Sequence, residues 1–156
     1  MSKCGVVKSI EVVNADINDY DSIFAVEHRL VGEETKNTLM LALANSNYHF
    51  FVAKLNNEVI GYIEFIVSVD SADLVSIAVL EDYQRLGVGK CLFNVAVKKL
   101  SQFCDLNQVL LEVRKSNDNA IKFYEKLGFI NIGVRKSYYK TKDNRGEDAL
   151  IYRLTL

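Results

Sequence analysis

Ile77-Ala78-Val79-Leu80-Glu81-Asp82-Tyr83-Gln84-Arg85-Leu86-Gly87-Val88-Gly89-Lys90 is the stretch from which the architecture can be read. Its apolar start is a strand, and a turn with glycines two apart comes next. Leu92, Phe93, Ala96, Val97 and Leu100 then form one stripe of a helix running to about Phe103. A strand that feeds a helix through so short a turn leaves backbone N–H groups unpaired at the positive end of the helix dipole. Such a point suits a phosphate. Gly87 and Gly89 remove side chains where a pyrophosphate would touch the backbone, and Arg85 and Lys90 add positive charge. Spacing alone fits equally an ordinary strand-to-helix turn whose glycines relieve strain. It does not fit a dinucleotide fingerprint, because Leu92 stands where a third glycine is required. Nor is it a P-loop, which needs Gly-Lys-Ser/Thr after a four-residue gap.

On the N-terminal side, residues Val6 to Val13 read as a strand, and Asp16 can cap a helix to about Leu30 with Ile17, Ile23, Phe24 and Val26 on its apolar side. A second helix covers Glu33 to Ala44. Tyr48 to Lys54 and Val59 to Val67 form a hairpin around Asn56-Asn57, and another strand runs from Leu74 to Leu80. Downstream, Val109 to Arg114 is a strand. Ser116 or Asn117 caps a helix that stops at Gly128, and Phe129 to Val134 and Ala149 to Leu154 are strands. This order predicts an α/β (α+β) fold: a mixed, mostly antiparallel sheet of seven strands with helices on both faces.

The 156 residues suit a single domain, 1–156, able to bury its own core. A content of 49% apolar and 25% charged residues argues against disorder. The net charge of -1 argues against nucleic-acid or membrane-surface binding by the chain as a whole. Cys4, Cys91 and Cys104 have no metal-ligand spacing, and an odd count suggests no disulfide framework, so a reducing cytoplasm is the expected setting. No secretory leader is evident, and no run approaches the roughly 18 apolar residues of a membrane span. Proline is absent, so turns fall to Gly, Asn and Asp.

Two residues stand out chemically. Glu112 lies in Val109-Leu110-Leu111-Glu112-Val113, an otherwise buried type of strand, where desolvation favours proton uptake of the kind a general base needs. It could instead face solvent, or pair with Arg114 on the same side of the strand. Tyr124 shares a helix face with Ala120 and Leu127 and by pattern is a packed aromatic. His28 and His49 are isolated, and Cys91 and Cys104 read as small core residues without a partner histidine. Lys140, Lys142, Asp143, Asn144 and Arg145 form a solvated loop.

Gln84-Arg85-Leu86-Gly87-Val88-Gly89 resembles the Q/R-x-x-G-x-G/A pyrophosphate motif of the GNAT acetyltransferase superfamily. The resemblance continues through Leu111-Glu112-Val113-Arg114-Lys115-Ser116-Asn117 and Ala120-Ile121-Lys122-Phe123-Tyr124-Glu125-Lys126-Leu127-Gly128-Phe129. Arg135-Lys136-Ser137-Tyr138-Tyr139 and Gly146-Glu147-Asp148-Ala149 are similar to the RimI branch, which acetylates protein N-termini. The match is dense from about Val75 onward. It implies acetyl-CoA as cosubstrate and no metal. Ile77, Ala78 and Val79 would pair with the pantetheine arm through their backbone. Arg85, Leu86, Gly87, Val88, Gly89 and Lys90 would hold the pyrophosphate, and Asn117 would contact the cofactor further along. Glu112 would be the general base, Tyr124 would point its hydroxyl at the CoA sulfur as the proton donor (general acid), and Tyr138 and Tyr139 would line the peptide groove. The acceptor implied is a small-subunit ribosomal protein, the eighteenth, beginning with Ala. The family's Pro-Trp pair near the first helix has no counterpart in Glu27-His28-Arg29-Leu30-Val31-Gly32-Glu33.

Amine chemistry points the same way. An α-amine near pKa 8 is about one-tenth neutral at pH 7, a lysine near 10.4 only about four parts in ten thousand. A single carboxylate serves the first more easily. A lysine or small-amine acetyltransferase, or a silent acyl-CoA-binding module, are the competing readings.

Overall fold

The computed structural model describes residues 9–31, 36–141 and 145–156. Within Tyr48–Leu55 (β2), Phe50, Phe51, Val52 and Ala53 are all buried, and they alternate between two layers. Phe51 and Ala53 join one core, whereas Phe50 and Val52 join another. A strand with period two can be apolar throughout only when both sheet faces are covered. Here they are. One face carries Tyr20–Val31 (α1) and Lys36–Leu43 (α2), which bury Ile23, Val26, Leu39 and Ala42. The other carries Val88–Leu100 (α3), which buries Val88, Leu92, Phe93, Ala96 and Leu100, and Asp118–Lys126 (α4).

The remaining strands are Glu11–Asn14 (β1), Glu58–Val67 (β3), Ser71–Val79 (β4), Gln108–Arg114 (β5), Ile130–Tyr139 (β6) and Glu147–Thr155 (β7). The sheet order is β1-β2-β3-β4-β5-β7-β6, with β4 and β5 parallel and the other neighbours antiparallel. The mixed, mostly antiparallel seven-stranded sheet expected from the sequence is therefore present. So are the capping devices. Asp16 accepts the Asn18 N–H at 2.8 Å and opens a short 3₁₀ turn, Ile17–Asp19, that runs into α1. Asn56 and Asn57, with φ of 50° and 68°, turn the β2–β3 hairpin.

Several boundaries differ. α3 ends at Leu100 rather than Phe103, whose ring is 80% exposed. β4 begins at Ser71 rather than Leu74, and β6 continues beyond Val134 to Tyr139. The expected starts of the first strand at Val6 and of the second helix at Glu33 lie outside the described residues, as do Cys4, Lys142, Asp143 and Asn144.

Two irregularities in β4 open the middle of the sheet. Glu64 pairs with Ser76 but Phe65 with Leu74, so Val75 is an extra, bulged residue. β4 also pairs with β5 only over Ser71–Asp73 against Gln108–Leu110. Beyond that, β4 stays with β3 to Val79 while β5 runs beside β7 to Arg114. The two middle strands part like the arms of a V.

Candidate active site

From Leu74 on, the β5-facing edge of β4 has no strand beside it. Ile77 and Val79 send their side chains into the α3 layer and Ala78 into the α1 layer, so the edge presents backbone. An extended chain can add to such an edge as a strand does. At its far end Gln84 donates from Nε2 to the Val79 carbonyl at 2.8 Å, tying the turn back to the strand.

In that turn Leu86 and Val88 point into the core, and Arg85 and Lys90 face solvent. Arg85 and Gly87 both have positive φ, 58° and 91°. Gly87 is the N-cap of α3, and no side chain caps it. The first helical bond runs from the Cys91 N–H to the Gly87 carbonyl, so the N–H groups of Val88, Gly89 and Lys90 have no partner within the helix. A Cβ on Gly89 would lie 3.2 Å from the Phe123 ring. The turn thus has uncapped donors of the kind that suit a pyrophosphate, while the expectation that Gly89 is small for ligand access is corrected: its missing side chain makes room for Phe123 of α4.

α4 delivers Tyr124. Asn117 caps the helix, its Oδ1 accepting the Ala120 N–H at 3.2 Å, which is the position the structure gives this residue. At the other end Gly128, with φ of 98°, makes the expected C′ glycine. Its N–H bonds to the Glu125 carbonyl, and the Phe129 N–H to the Tyr124 carbonyl, which is a Schellman closure. Phe129 packs edge-on against Tyr124 with centroids 5.8 Å apart. Burial, with Tyr139 adding to it, pushes the Tyr124 phenol up to about 12.

Between the parted strands, on the α1 side, lies a cavity of about 450 Å³. Asp73, Val75, Leu110, Glu112, Tyr138 and Tyr139 line it. Two expectations about Glu112 are corrected. It is half-buried rather than buried, because β5 alternates buried and half-buried residues and Glu112 keeps 29% of its side chain exposed. Its ion-pair partner is Arg135 of β6 at 2.7 Å, not Arg114. Arg114 pairs instead with Glu147 at 3.1 Å. Glu147 also accepts the Ser116 N–H and hydroxyl, and these bonds hold it below the usual carboxylate range. Arg114 stacks over the Tyr139 ring at 4.2 Å and Arg135 over Tyr138 at 4.0 Å. Burial, then the Glu112 charge, raises the Tyr139 phenol.

Sequence reasoning missed Arg135 and Asp73. Burial, and after it the charge of Glu112, pushes the Asp73 carboxyl above its ordinary range. A strand begun at Leu74 leaves Asp73 outside it. The alternation Ala72-in, Asp73-out, Leu74-in is the signal that could have found it. His28 lies away from the cavity, stacked on Phe24 at 5.6 Å, and the structure brings neither Cys91 nor Cys104 to it.

The acetyltransferase (GNAT) family matches residues 16–129 of this chain. The chain is 34% identical over 157 residues to the N-alpha-acetyltransferase of Sulfurisphaera tokodaii, covering 92% of each. It is 31% identical to the [ribosomal protein bS18]-alanine N-acetyltransferase of Escherichia coli (strain K12), covering 93% of this chain and 97% of that one. The crystal structure of the ribosomal-protein-S18-alanine N-acetyltransferase from Escherichia coli superposes with a TM-score of 0.83 at 31% identity, covering 94% and 93% of the two chains. A family match that spans both arms of the V, with relatives aligned nearly end to end, means that this chain belongs to the acetyltransferase (GNAT) family and is an N-acetyltransferase.

Proposed function

We propose that the protein transfers the acetyl group of acetyl-CoA to the N-terminal α-amine of a protein, with a small-subunit ribosomal protein beginning with Ala as the acceptor. The observation that carries this is the junction of three features. An open β4 edge leads from an anion-suited turn to a cavity walled by Glu112, Tyr138 and Tyr139. Relatives named for α-amine and ribosomal-protein acetylation, aligned over nine-tenths of the chain, support the choice of acceptor.

Acetyl-CoA supplies the acetyl group as a thioester. The N–H groups of Val88, Gly89 and Lys90 bind its pyrophosphate, and the β4 edge at Ile77, Ala78 and Val79 aligns the arm that carries the thioester. Asn117 contacts the cofactor further along from its place at the start of α4. Tyr138 and Tyr139 wall the path of the incoming chain. Glu112 takes the proton that the α-ammonium must lose before nitrogen can attack the carbonyl carbon. As the C–S bond breaks, Tyr124 donates a hydrogen bond to the departing sulfur.

The test uses peptides that differ only in a free or blocked N-terminus, one pair bearing lysine, with Glu112→Gln beside the parent. Acetylation confined to free N-termini is expected. Glu112→Gln should lower kcat/KM by roughly 10²- to 10⁴-fold near pH 7. That loss should shrink toward pH 9.5, where solution supplies the neutral amine. Acetylation of the blocked lysine peptide, or equal slowness at both pH values, would contradict the reading.

A further inference from the structure

We infer that Asp73 binds the incoming α-ammonium, facing Glu112 across the cavity and setting the acceptor's affinity. The inference rests on the α-amine reading above. It starts from where the strands part. Asp73 is the last residue of β4 paired with β5, its register partner being Leu110, and Glu112 stands two residues further along β5. Ala72 and Leu74 turn into the α3 core, as do Val109, Leu111 and Val113. Strand alternation therefore puts Asp73, Leu110 and Glu112 on the opposite face, where all three line the cavity.

Charge decides what this face attracts. From β5 and β6, Glu112 is matched by Arg135. From β5 and β7, Arg114 is matched by Glu147. Tyr138 and Tyr139 contribute neutral phenols whose rings are covered by those two guanidinium groups. On the β3 side the register partner of Asp73 is Ile66, which carries no charge. Two pairs cancel; Arg153 of β7, across Leu110 from Asp73, is a third cation of this face and lies outside ion-pair distance of it, so Asp73 is the cavity carboxylate without an ion-pair partner among the described residues. Glu112 alone, held at 2.7 Å by a guanidinium, is a poor attractor of a further cation. An α-amine near pKa 8 arrives about nine-tenths protonated at neutral pH. Asp73 supplies a carboxylate free of any ion pair among the described residues for that ammonium and leaves Glu112 to accept its proton.

Steady-state kinetics of Asp73→Asn and Asp73→Glu, with acetyl-CoA and a free-N-terminus peptide, test this assignment. For Asp73→Asn the peptide KM should rise at least tenfold while the acetyl-CoA KM stays at the parental value. Added salt should raise the peptide KM of the parent and leave that of Asp73→Asn nearly unchanged, since an attraction between opposite charges is what salt screens. Asp73→Glu should restore most of the affinity. Parental peptide KM and salt response in Asp73→Asn would overturn the assignment. So would an equal loss of acetyl-CoA binding, which marks a structural residue. Glu112→Gln in parallel separates the two readings. A slow Glu112→Gln beside a parental Asp73→Asn overturns only the role of Asp73. A parental Glu112→Gln with the Asp73→Asn effects intact retires the base and supports Asp73 as the ammonium site.

Discussion

Tyr124 shows how far a residue's setting constrains its chemistry. With its phenol pushed up to about 12, full proton transfer to a CoA thiolate near 8.5 would run uphill by about 5 kcal/mol. An unperturbed phenol would face roughly 2 kcal/mol. In the proposed mechanism burial therefore limits Tyr124 to donating a hydrogen bond, and the thiol's proton would derive from the amine by way of Glu112 and solvent. A hydrogen bond to a charged acceptor contributes about 1.5 to 3 kcal/mol, so Tyr124→Phe is expected to lower kcat by about 10- to 10²-fold. The acetyl-CoA KM should not change, and kcat should show no basic limb from this phenol below about pH 11. A limb near pH 9 that disappears in the Phe variant would indicate proton transfer instead. Among single residues, Glu112 was legible in the sequence as an odd carboxylate in an apolar run. Arg135 was not, because its pairing with Glu112 arises between strands and has no local signature, and Asp73 was missed because the strand was begun at Leu74.

At the level of elements, the glycine turn and α4 are mechanically linked. Gly87 has φ of 91° and faces solvent, so a side chain there strains the turn and covers the donors of α3. Gly87→Val is expected to raise the acetyl-CoA KM at least tenfold, about 1.4 kcal/mol of binding, with kcat little changed. Gly89 is different. A side chain there meets Phe123, whose ring lies 5.5 Å from that of Tyr124. Gly89→Val should therefore lower kcat as well as raise the KM, and steady-state kinetics of the two variants would separate these effects. An unchanged KM in a folded Gly87→Val would exclude the turn as the pyrophosphate site. At the other end of α4, a Cβ on Gly128 would meet Leu154 at an ordinary 3.4 Å, so the φ of 98° is the main penalty. Gly128→Ala should cost about 1 to 2 kcal/mol in urea unfolding, and a neutral result would mean that the Schellman closure does not hold the helix end. These elements were legible from the chain because each is specified locally, by a cap, a glycine and an apolar stripe.

Across the whole molecule, what could not be read in advance was the parting of β4 from β5. It depends on β7 inserting between β5 and β6 and on one extra residue at Val75, neither of which leaves a periodic trace. The same bulge brings Ser76 opposite Glu64. The Tyr62 hydroxyl lies 2.9 Å from that of Ser76, and Glu27 of α1 sits close enough to add its charge. Glu64 is 9% exposed, and burial, then the charge of Glu27, pushes its carboxyl up to about 7. The consequence is a pH dependence of folding with a definite sign. An unfolded glutamate titrates near 4.5, so between that value and about 7 the folded chain holds a proton that the unfolded chain has lost. Stability from this site is complete below about pH 4.5 and is lost as pH rises through about 7, by roughly 3 kcal/mol. Glu64→Gln imitates the protonated acid at every pH. Relative to the parent it should be nearly neutral at about pH 4 and more stable by roughly 3 kcal/mol at about pH 8, read from urea unfolding of both proteins at each pH. A stability difference of equal size at the two pH values would show that Glu64 titrates as an ordinary carboxylate in spite of its burial between β4 and α1.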